Sequence, residues 1–122
     1  MSEATLVTAL RLRLEAAGAY VEKNHGSSVE TAGRPDLSGC YRGYYFGFEI
    51  KLPKGKTTRV QEYVLGWIRR AGGYAGVIRS TAQLDDILRR WPLVCKQCLG
   101  RLRGADDEDG GMVCADCGWR WT

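Results

Sequence analysis

Hydrophobic residues recur at helical spacing in three segments of this chain, each bounded by a residue that starts or stops a helix. The first segment predicts a helix that ends near Gly18 and whose apolar face is formed by Leu6, Val7, Leu10, Leu14 and Ala17. The second predicts a helix from about Thr58 to Ala71 that buries Val60, Val64, Trp67 and Ala71. The third follows a capping-box pattern at Ser80 and stops before Pro92.

Alternation of apolar and polar residues predicts four strands. The clearest strand spans 44–52, and its predicted core face is Tyr44, Phe46, Phe48, Ile50 and Leu52. The other three are expected at 19–22, at 35–38 with 39–43 as the following turn, and at 74–79. The resulting order, α-β-β-β-α-β-α, predicts an α/β fold in which helices flank a mixed sheet.

Two carboxylates and an amine are expected to meet near the end of the clearest strand. Glu49 and Lys51 are one pleat apart on its second face, and Asp36 follows Pro35 thirteen residues before Glu49. Mg²⁺ binds to one or two carboxylates and takes its remaining ligands from water and phosphate. It can polarise a phosphoryl oxygen and activate a water for phosphodiester hydrolysis, and Lys51 could orient that water. The alternative is an ordinary surface pair of Glu49 and Lys51, with Asp36 merely following a turn proline.

Further motifs surround this acidic set in a fixed order between about Glu3 and Ser80. They are Lys23-Asn24-His25-Gly26, Gly33-Arg34-Pro35-Asp36-Leu37-Ser38-Gly39, Glu49-Ile50-Lys51, Gly55-Lys56, Gln61 and the segment 71–80. In this order they resemble the PD-(D/E)XK nuclease superfamily, and within it the VRR-NUC group related to Holliday-junction resolvases. The resemblance implies a restriction-endonuclease-like fold, although the valine-arginine-arginine signature of the group does not occur literally.

The resemblance implies a role for each matching residue. Asp36 and Glu49 match the metal-binding acids, and the backbone carbonyl of Ile50 would be a further ligand of the metal. Lys51 matches the motif lysine, and Gln61 matches a glutamine on the helix behind the site. All five are therefore expected in a catalytic centre that uses Mg²⁺ or Mn²⁺.

Two of these assignments have competitors. The family often has an acid on its first helix, for which Glu3 is the best match, although Glu15 and Glu30 compete with it. Gln61 also completes an S/T-x-x-E/Q capping box with Thr58. Capping and catalysis are both open for Gln61, and they are expected to compete for the one amide.

Four cysteines near the C-terminus form a second strong pattern. Cys95 and Cys98 are separated by two residues, as are Cys114 and Cys117, and fifteen residues lie between the pairs. This spacing matches a four-thiolate zinc site, which has no open position and is therefore structural. A disulfide framework is disfavoured because no secretory segment precedes the first helix. Cys40 stands apart and is expected to be a small buried or half-buried side chain.

Charge also distinguishes the cysteine-containing C-terminal segment from the rest of the chain. Hydrophobic residues make up 44% of it, with no apolar run long enough to span a membrane. Residues 1–94 carry fourteen basic and nine acidic residues, against four and five in 95–122. The stretch 51–90 has nine basic and three acidic residues. This excess is expected of a segment that contacts a phosphate backbone, although an ordinary solvated surface could have the same composition. We expect a nuclease domain at 1–92 and a zinc ribbon at 93–122.

Several smaller features are open to more than one interpretation. His25 is expected to contact phosphate or solvent, and the acidic run at 106–109 to be a solvated turn between the zinc knuckles. Arginines and tryptophans of the ribbon, among them Trp119 and Trp121, could contact nucleic acid, pack onto the nuclease domain or form a dimer contact.

The sequence therefore predicts a Mg²⁺-dependent DNA endonuclease with a structural zinc. The resemblance suggests branched or junction DNA as substrate and a homodimer as the active form. A non-cleaving DNA-binding or scaffold protein is the alternative, and a nicking restriction- or repair-type enzyme is a third possibility. A cytoplasmic or nucleoid-associated protein is expected, and the small size is typical of phage or mobile-element enzymes.

Overall fold

The computed structural model describes residues 1–24, 33–105 and 110–121. The helices and strands follow the predicted order, which confirms the α/β class, and three short strands are added at the C-terminus. Their bounds are α1 Glu3–Ala16, β1 Tyr20–Lys23, β2 Leu37–Tyr41, β3 Tyr44–Ile50, α2 Arg59–Arg70, β4 Tyr74–Ile78, α3 Thr81–Arg90, β5 Leu102–Gly104, β6 Met112–Cys114 and β7 Arg120–Trp121. None of the helices in the described ranges is long and apolar enough to cross a membrane.

The main sheet has the strand order β1-β2-β3-β4 and is mixed, as predicted. The pairs β1–β2 and β2–β3 are antiparallel, whereas β3 and β4 are parallel, with Ile50 opposite Ile78 where both strands end. The core on one face joins apolar side chains of α1, α3 and the strands, among them Leu10, Phe48 and Ile87. Helix α2 covers the opposite face, so the sheet lies between two helical layers.

Strand β2 is longer than the sequence predicted. It continues to Tyr41, and the turn into β3 consists only of Arg42 and Gly43, whose φ angles are 50° and 86°. Positive φ at both central residues is typical of the type I′ turn, whose twist suits a tight hairpin. The expected turn at 39–43 was therefore too long, because residues 39–41 belong to β2 and only Arg42 and Gly43 turn the chain. The prediction for Cys40 was also wrong, since its residue is exposed on β2.

The buried face of α2 differs from the predicted one. Leu65 is its buried residue, whereas Val60 and Trp67 are 49% and 61% exposed and Ala71 is exposed as well. The close approach of α2 to β3 occurs at Gly47, where an added Cβ would lie 2.7 Å from Cδ1 of Ile68. The inner face of α2 is therefore the row of Leu65 and Ile68, and of the predicted row only Val64 is half-buried.

The C-terminal segment begins inside the core of the main sheet. Val94 and Leu99 are buried members of the same hydrophobic cluster as the strands. Leu99 packs over β4, because an added Cβ on Gly76 would lie 2.7 Å from its Cδ1. The hydroxyl of Tyr74 donates a hydrogen bond of 2.8 Å to the carbonyl of Pro92. Strands β5, β6 and β7 then form a separate antiparallel sheet.

Candidate functional site

An acidic pair lies where the parallel strands β3 and β4 end. Asp36 immediately precedes β2, and Glu49 is the last residue but one of β3. Oδ2 of Asp36 accepts a 2.8 Å hydrogen bond from the backbone N–H of Ile50. This bond crosses from one strand to the next and fixes the Asp36 carboxylate beside the end of β3.

Glu49 is a buried acid, with only 2% of the residue exposed. Its Oε1 accepts a hydrogen bond of 3.1 Å from Nε2 of Gln61 on α2. Its Oε2 is buried and accepts no hydrogen bond from any described residue. A buried carboxylate oxygen without a partner is costly, on the order of 1–3 kcal/mol even before its charge is considered. Such an oxygen is suited to a ligand that carries positive charge.

The environment of Glu49 opposes its ionisation. Its pKa is raised from an ordinary 4.5 to about 9, and burial is the largest cause. The Asp36 carboxylate raises the pKa further, because it favours a proton shared between the two acids and because it is negatively charged, and Glu3 also raises it, whereas Lys51 lowers it. A buried acid whose negative charge is disfavoured, next to a second carboxylate, forms a natural binding place for a divalent cation. The residues present therefore fit a hard metal ion.

Lys51 follows the end of β3, and its backbone N–H donates a hydrogen bond of 3.2 Å to the carbonyl of Ile78. The loop after it carries Lys54 and Lys56. Nη1 of Arg79 holds this loop by donating to the carbonyls of Leu52, Pro53 and Gly55 at 2.9, 3.3 and 2.7 Å. Arg79 was not assigned a role from the sequence, where its position at the end of an apolar strand was the only signal.

Gln61 caps the helix and contacts Glu49 at the same time. Its Oε1 accepts from the backbone N–H of Thr58 at 2.8 Å, while the Thr58 side chain accepts from the N–H of Gln61. Its Nε2 is the donor to Glu49. The expected competition between the two roles was wrong, because the two ends of the amide make different bonds. The capping box thus presents the amide nitrogen to the buried acid.

Glu3, the acidic residue expected from the first helix, influences the acidic pair through its charge. Glu3 begins α1 after the N-cap residue Ser2, is exposed, and acts on Glu49 through its charge. Its competitor Glu15 lies at the far end of α1, about 18 Å along the helix axis, and pairs there with Arg11 at 2.8 Å. Glu30, His25, the run 106–109 and the side chain of Trp121 lie outside the described residues.

Asn24 supports the turn that carries Asp36, and it received no role in the sequence interpretation. Its backbone N–H donates to the carbonyl of Asp36 at 2.9 Å, and its Nδ2 donates to the carbonyl of Pro35 at 2.8 Å and to Oγ of Ser38 at 3.0 Å. Arg34 in turn donates to Oδ1 of Asn24 at 2.9 Å. In the sequence, Asn24 was marked only by its place in the motif Lys23-Asn24-His25-Gly26.

The four cysteines of the C-terminal segment converge on one point. Their sulfur atoms all lie within 4.8 Å of one another, with Cys95 to Cys117 at 3.7 Å and Cys98 to Cys114 at 3.5 Å. Sulfurs around a tetrahedral ion at about 2.3 Å would be separated by about 3.8 Å, whereas a disulfide would bring two of them to about 2.0 Å. The cysteines are free thiols and could hold zinc.

Backbone N–H groups are aimed at these sulfurs. Cys114 accepts from the N–H groups of Asp116 and Cys117 at 3.3 and 3.4 Å, and Cys95 accepts from Gln97 at 3.3 Å. Burial raises the pKa of Cys114, but hydrogen bonds from the N–H groups of Cys117 and Asp116, together with those of the Cys98 and Cys117 side chains, outweigh it and lower the pKa to about 7. Burial raises the pKa of Cys95 to about 11. Such donors stabilise thiolates, which is the form that binds a metal.

Comparison with known proteins identifies a structural neighbour. No family model matches the sequence, and no curated protein matches it either. Among solved structures, the fold is similar to a chain described as a VRR_NUC domain, with a TM-score of 0.61 and 25% sequence identity. The similarity covers 73% of this chain and 96% of that one.

Proposed function

We propose that this chain is a Mg²⁺-dependent endonuclease that hydrolyses phosphodiester bonds in DNA. The observation that carries the proposal is the buried Glu49 beside Asp36, with a carboxylate oxygen that accepts no hydrogen bond from the described residues. The likeness to a VRR_NUC domain supports a nuclease of the Holliday-junction-resolvase-like type. The acidic pair at the ends of β3 and β4 supports membership of the PD-(D/E)XK superfamily.

In this proposal Asp36, Glu49 and the carbonyl of Ile50 would hold the metal, with Glu3 nearby on α1. When bound, Mg²⁺ or Mn²⁺ polarises the phosphoryl oxygen and makes a water more acidic. The chain's own groups then have separate tasks. The N–H of Ile50 orients Asp36, and Gln61 orients Glu49 through the hydrogen bond of 3.1 Å. Lys51 orients the attacking water and stabilises the negative charge that develops on the phosphate.

The basic loop after Lys51 is proposed to bind the DNA backbone. Lys54 and Lys56 extend from a loop whose carbonyls are fixed by Arg79. An anchored loop places its cations with less loss of conformational entropy than a free one. Each phosphate contact adds salt-dependent affinity without reading the base sequence. This suits an enzyme that selects DNA by its shape, such as branched or junction DNA, and that acts as a homodimer when two strands are cut.

The C-terminal segment 93–122 is proposed to be a zinc ribbon that follows a nuclease domain at 1–92. The four sulfurs supply a complete tetrahedral set, so a zinc held there would be structural. The part of this chain without a counterpart in the VRR_NUC structure, about a quarter, is comparable in length with 93–122. The two parts would be coupled, because Val94 and Leu99 lie in the core of the main sheet.

The function is tested by incubating zinc-loaded protein with labelled linear, nicked, flap and four-way-junction DNA, with Mg²⁺ or with Ca²⁺. We expect Mg²⁺-dependent cleavage, with the fastest cutting on a branched substrate. Binding without cleavage on all four substrates, under every metal condition, would instead indicate a non-cleaving DNA-binding protein.

The double role of Gln61 leads to a prediction with a matched control. Gln61→Ala removes both the cap and the donor to Glu49, whereas Thr58→Ala removes only the Thr58 half of the capping box. Both variants should lose about 1 kcal/mol of stability in urea unfolding. Cleavage should fall about tenfold or more in Gln61→Ala alone, as is typical when support for a metal ligand is lost. Equal rates in the two variants would show that Gln61 is only a cap.

A further inference from the structure

The basic loop after Lys51 is held by a single nitrogen atom from the neighbouring strand. Arg79 directly follows β4, and its Nη1 donates at 2.9, 3.3 and 2.7 Å to the carbonyls of Leu52, Pro53 and Gly55. Nη1 carries two N–H groups, so at least two of these carbonyls share one of them. The convergence of the loop depends on this cation, because carbonyl oxygens that face one point repel one another without a donor there.

The stem of Lys51 lies against the part of the loop that Arg79 holds. A Cβ added to Gly55 would lie 3.3 Å from Cβ and 3.5 Å from Cδ of Lys51. Gly55 therefore presents its bare backbone to the Lys51 side chain. The backbone of Lys51 is fixed separately, since its N–H donates to the carbonyl of Ile78 at 3.2 Å. The direction in which the ammonium extends from the end of β3 is thus limited by the loop as well as by the sheet.

Helix α3 fixes Arg79 in turn. The backbone N–H of Arg79 donates to Oε1 of Gln83 at 2.7 Å, and Nε2 of Gln83 donates to the carbonyl of Val77 at 3.0 Å. Gln83 is itself held in the first turn of α3, where its N–H donates to Oγ of the N-cap residue Ser80 at 3.1 Å. A continuous set of contacts therefore runs from the start of α3 through Arg79 and the loop to Lys51.

We infer that Arg79 is a positioning residue for Lys51 and acts through the carbonyls of the loop 52–55. The inference rests on the proposed nuclease function, in which Lys51 orients the attacking water, and it adds a residue to that site. Arg79 fixes the wall against which the Lys51 stem lies. Without that anchor the ammonium samples positions away from the water, and a displacement of about 1 Å can cost about a hundredfold in rate. Arg79 thereby acts on the rate of cleavage more than on the affinity for DNA.

The first test is single-turnover cleavage of linear duplex by the zinc-loaded full chain at saturating protein, with binding measured in Ca²⁺ across a salt series. Arg79→Met removes the donors, whereas Arg79→Lys keeps an ammonium with three of them. Arg69→Met is the matched control. It also loses one positive charge and one arginine contact to a strand carbonyl, that of Ala75, to which Nε of Arg69 donates at 3.1 Å.

We expect Arg79→Met to cleave about tenfold or more slowly, with only a small loss of affinity and an unchanged salt slope, because the loop keeps its lysines. Arg79→Lys should recover most of the lost rate, since one nitrogen binds all three carbonyls. Arg69→Met should cleave at the parental rate.

Three results of this test would overturn the inference. One is a parental rate in Arg79→Met, and another is an equal loss of rate in Arg69→Met. The third is a salt slope lowered by about 0.9 in Arg79→Met with a parental rate at saturation, which would make Arg79 a phosphate contact.

A second test disturbs the contact between Lys51 and the loop while Arg79 is intact. Gly55→Ala adds a Cβ at 3.3 Å from Cβ of Lys51, so the stem has to shift by a few tenths of an ångström. This should slow cleavage severalfold, whereas Gly104→Ala, whose Cβ would meet nothing within 4 Å, should not. In a double-mutant cycle, Arg79→Met should have little further effect once Lys51→Met has removed the ammonium. Additive losses would show that Arg79 acts by another route and would overturn the inference.

Limited digestion with trypsin examines the loop without DNA and separates this inference from the proposed function. Trypsin cuts after Lys54 and Lys56, and a loop without its anchor opens more readily. Arg79→Met should be cut there faster than the parent and Arg69→Met, with the sites identified by mass spectrometry. If the parent cuts DNA but Arg79→Met is neither slower nor more sensitive to trypsin, the inference alone fails. If Arg79→Met exposes the loop but the parent cuts no DNA with Mg²⁺, the nuclease proposal fails and the anchoring of the loop stands.

Discussion

Replacing Cys117 by serine is expected to release zinc and to lower the stability of the main sheet as well as that of the ribbon. Structural zinc contributes binding free energy on the order of 10 kcal/mol in small domains, which would otherwise not fold. The first knuckle supplies Val94 and Leu99 to the core of the main sheet, so its loss exposes that core. The midpoint of thermal unfolding, followed by far-UV circular dichroism, should fall by about 10 °C or more.

Cys40→Ser is the matched control, because this thiol is exposed and lies outside the cluster. It should keep zinc and unfold like the parent. Leu99→Gly provides a second comparison. Leu99 has a φ of 65°, a backbone conformation that costs about 1 kcal/mol for a leucine and nothing for glycine. Since the lost burial outweighs that relief at about 2 kcal/mol, the variant should keep zinc but melt earlier. Equal midpoints for Cys117→Ser and Cys40→Ser would contradict the coupling.

Glu49→Gln is expected to stabilise the protein in the absence of Mg²⁺ while it abolishes cleavage. The folded protein holds a proton on Glu49 up to a pKa of about 9, whereas an unfolded chain releases it near 4.5. Stability therefore falls as the pH rises between these two values, by up to about 3 kcal/mol at pH 7. A neutral glutamine avoids this loss. Because the proposed metal loses a ligand, cleavage should fall about a thousandfold or more.

Urea unfolding of the zinc-loaded protein between pH 5 and pH 9, without Mg²⁺, measures the first effect. The parent should lose stability with rising pH relative to Glu49→Gln, and added Mg²⁺ should stabilise only the parent. Glu15→Gln is the control, because Glu15 is exposed at the far end of α1. If the stability of the parent and that of Glu49→Gln changed with pH in the same way, Glu49 would ionise in the folded protein as it does in an unfolded chain. That result would contradict the prediction.

The face of Glu49 and the cysteine cluster were accessible from the sequence because each depends on local spacing, whereas the meeting of Asp36 and Glu49 was expected from the order of motifs that resembles a nuclease family. A period of two placed Glu49 on the second face of its strand, and the paired Cys-x2-Cys spacing is set by the geometry of one knuckle. The contact between Thr58 and Gln61 was likewise predictable, since a capping box is closed within four residues. The catalytic roles of Asp36, Glu49 and Lys51 stay predictions.

The face of α2 and the docking of the C-terminal segment onto the main sheet depend on contacts between distant residues. The sequence predicted the first wrongly and left the second as one of three possibilities. A count of apolar residues favoured Val60 and Trp67 as the buried row. The structure instead turns Gln61 inward to Glu49, and Ile68 fits over Gly47, where no side chain keeps the helix away. The position of Leu99 over Gly76 similarly joins residues twenty-three apart that no local pattern connects.

Asp36 and Glu49 are proposed to form a metal-dependent catalytic centre. Single-turnover cleavage of a labelled duplex by the parent and by Asp36→Asn, each with Mg²⁺ and with Ca²⁺ and with binding measured in parallel, tests this claim. We predict cleavage only by the parent with Mg²⁺ and binding of similar strength in all four reactions. Cleavage by Asp36→Asn at the parental rate would contradict the claim.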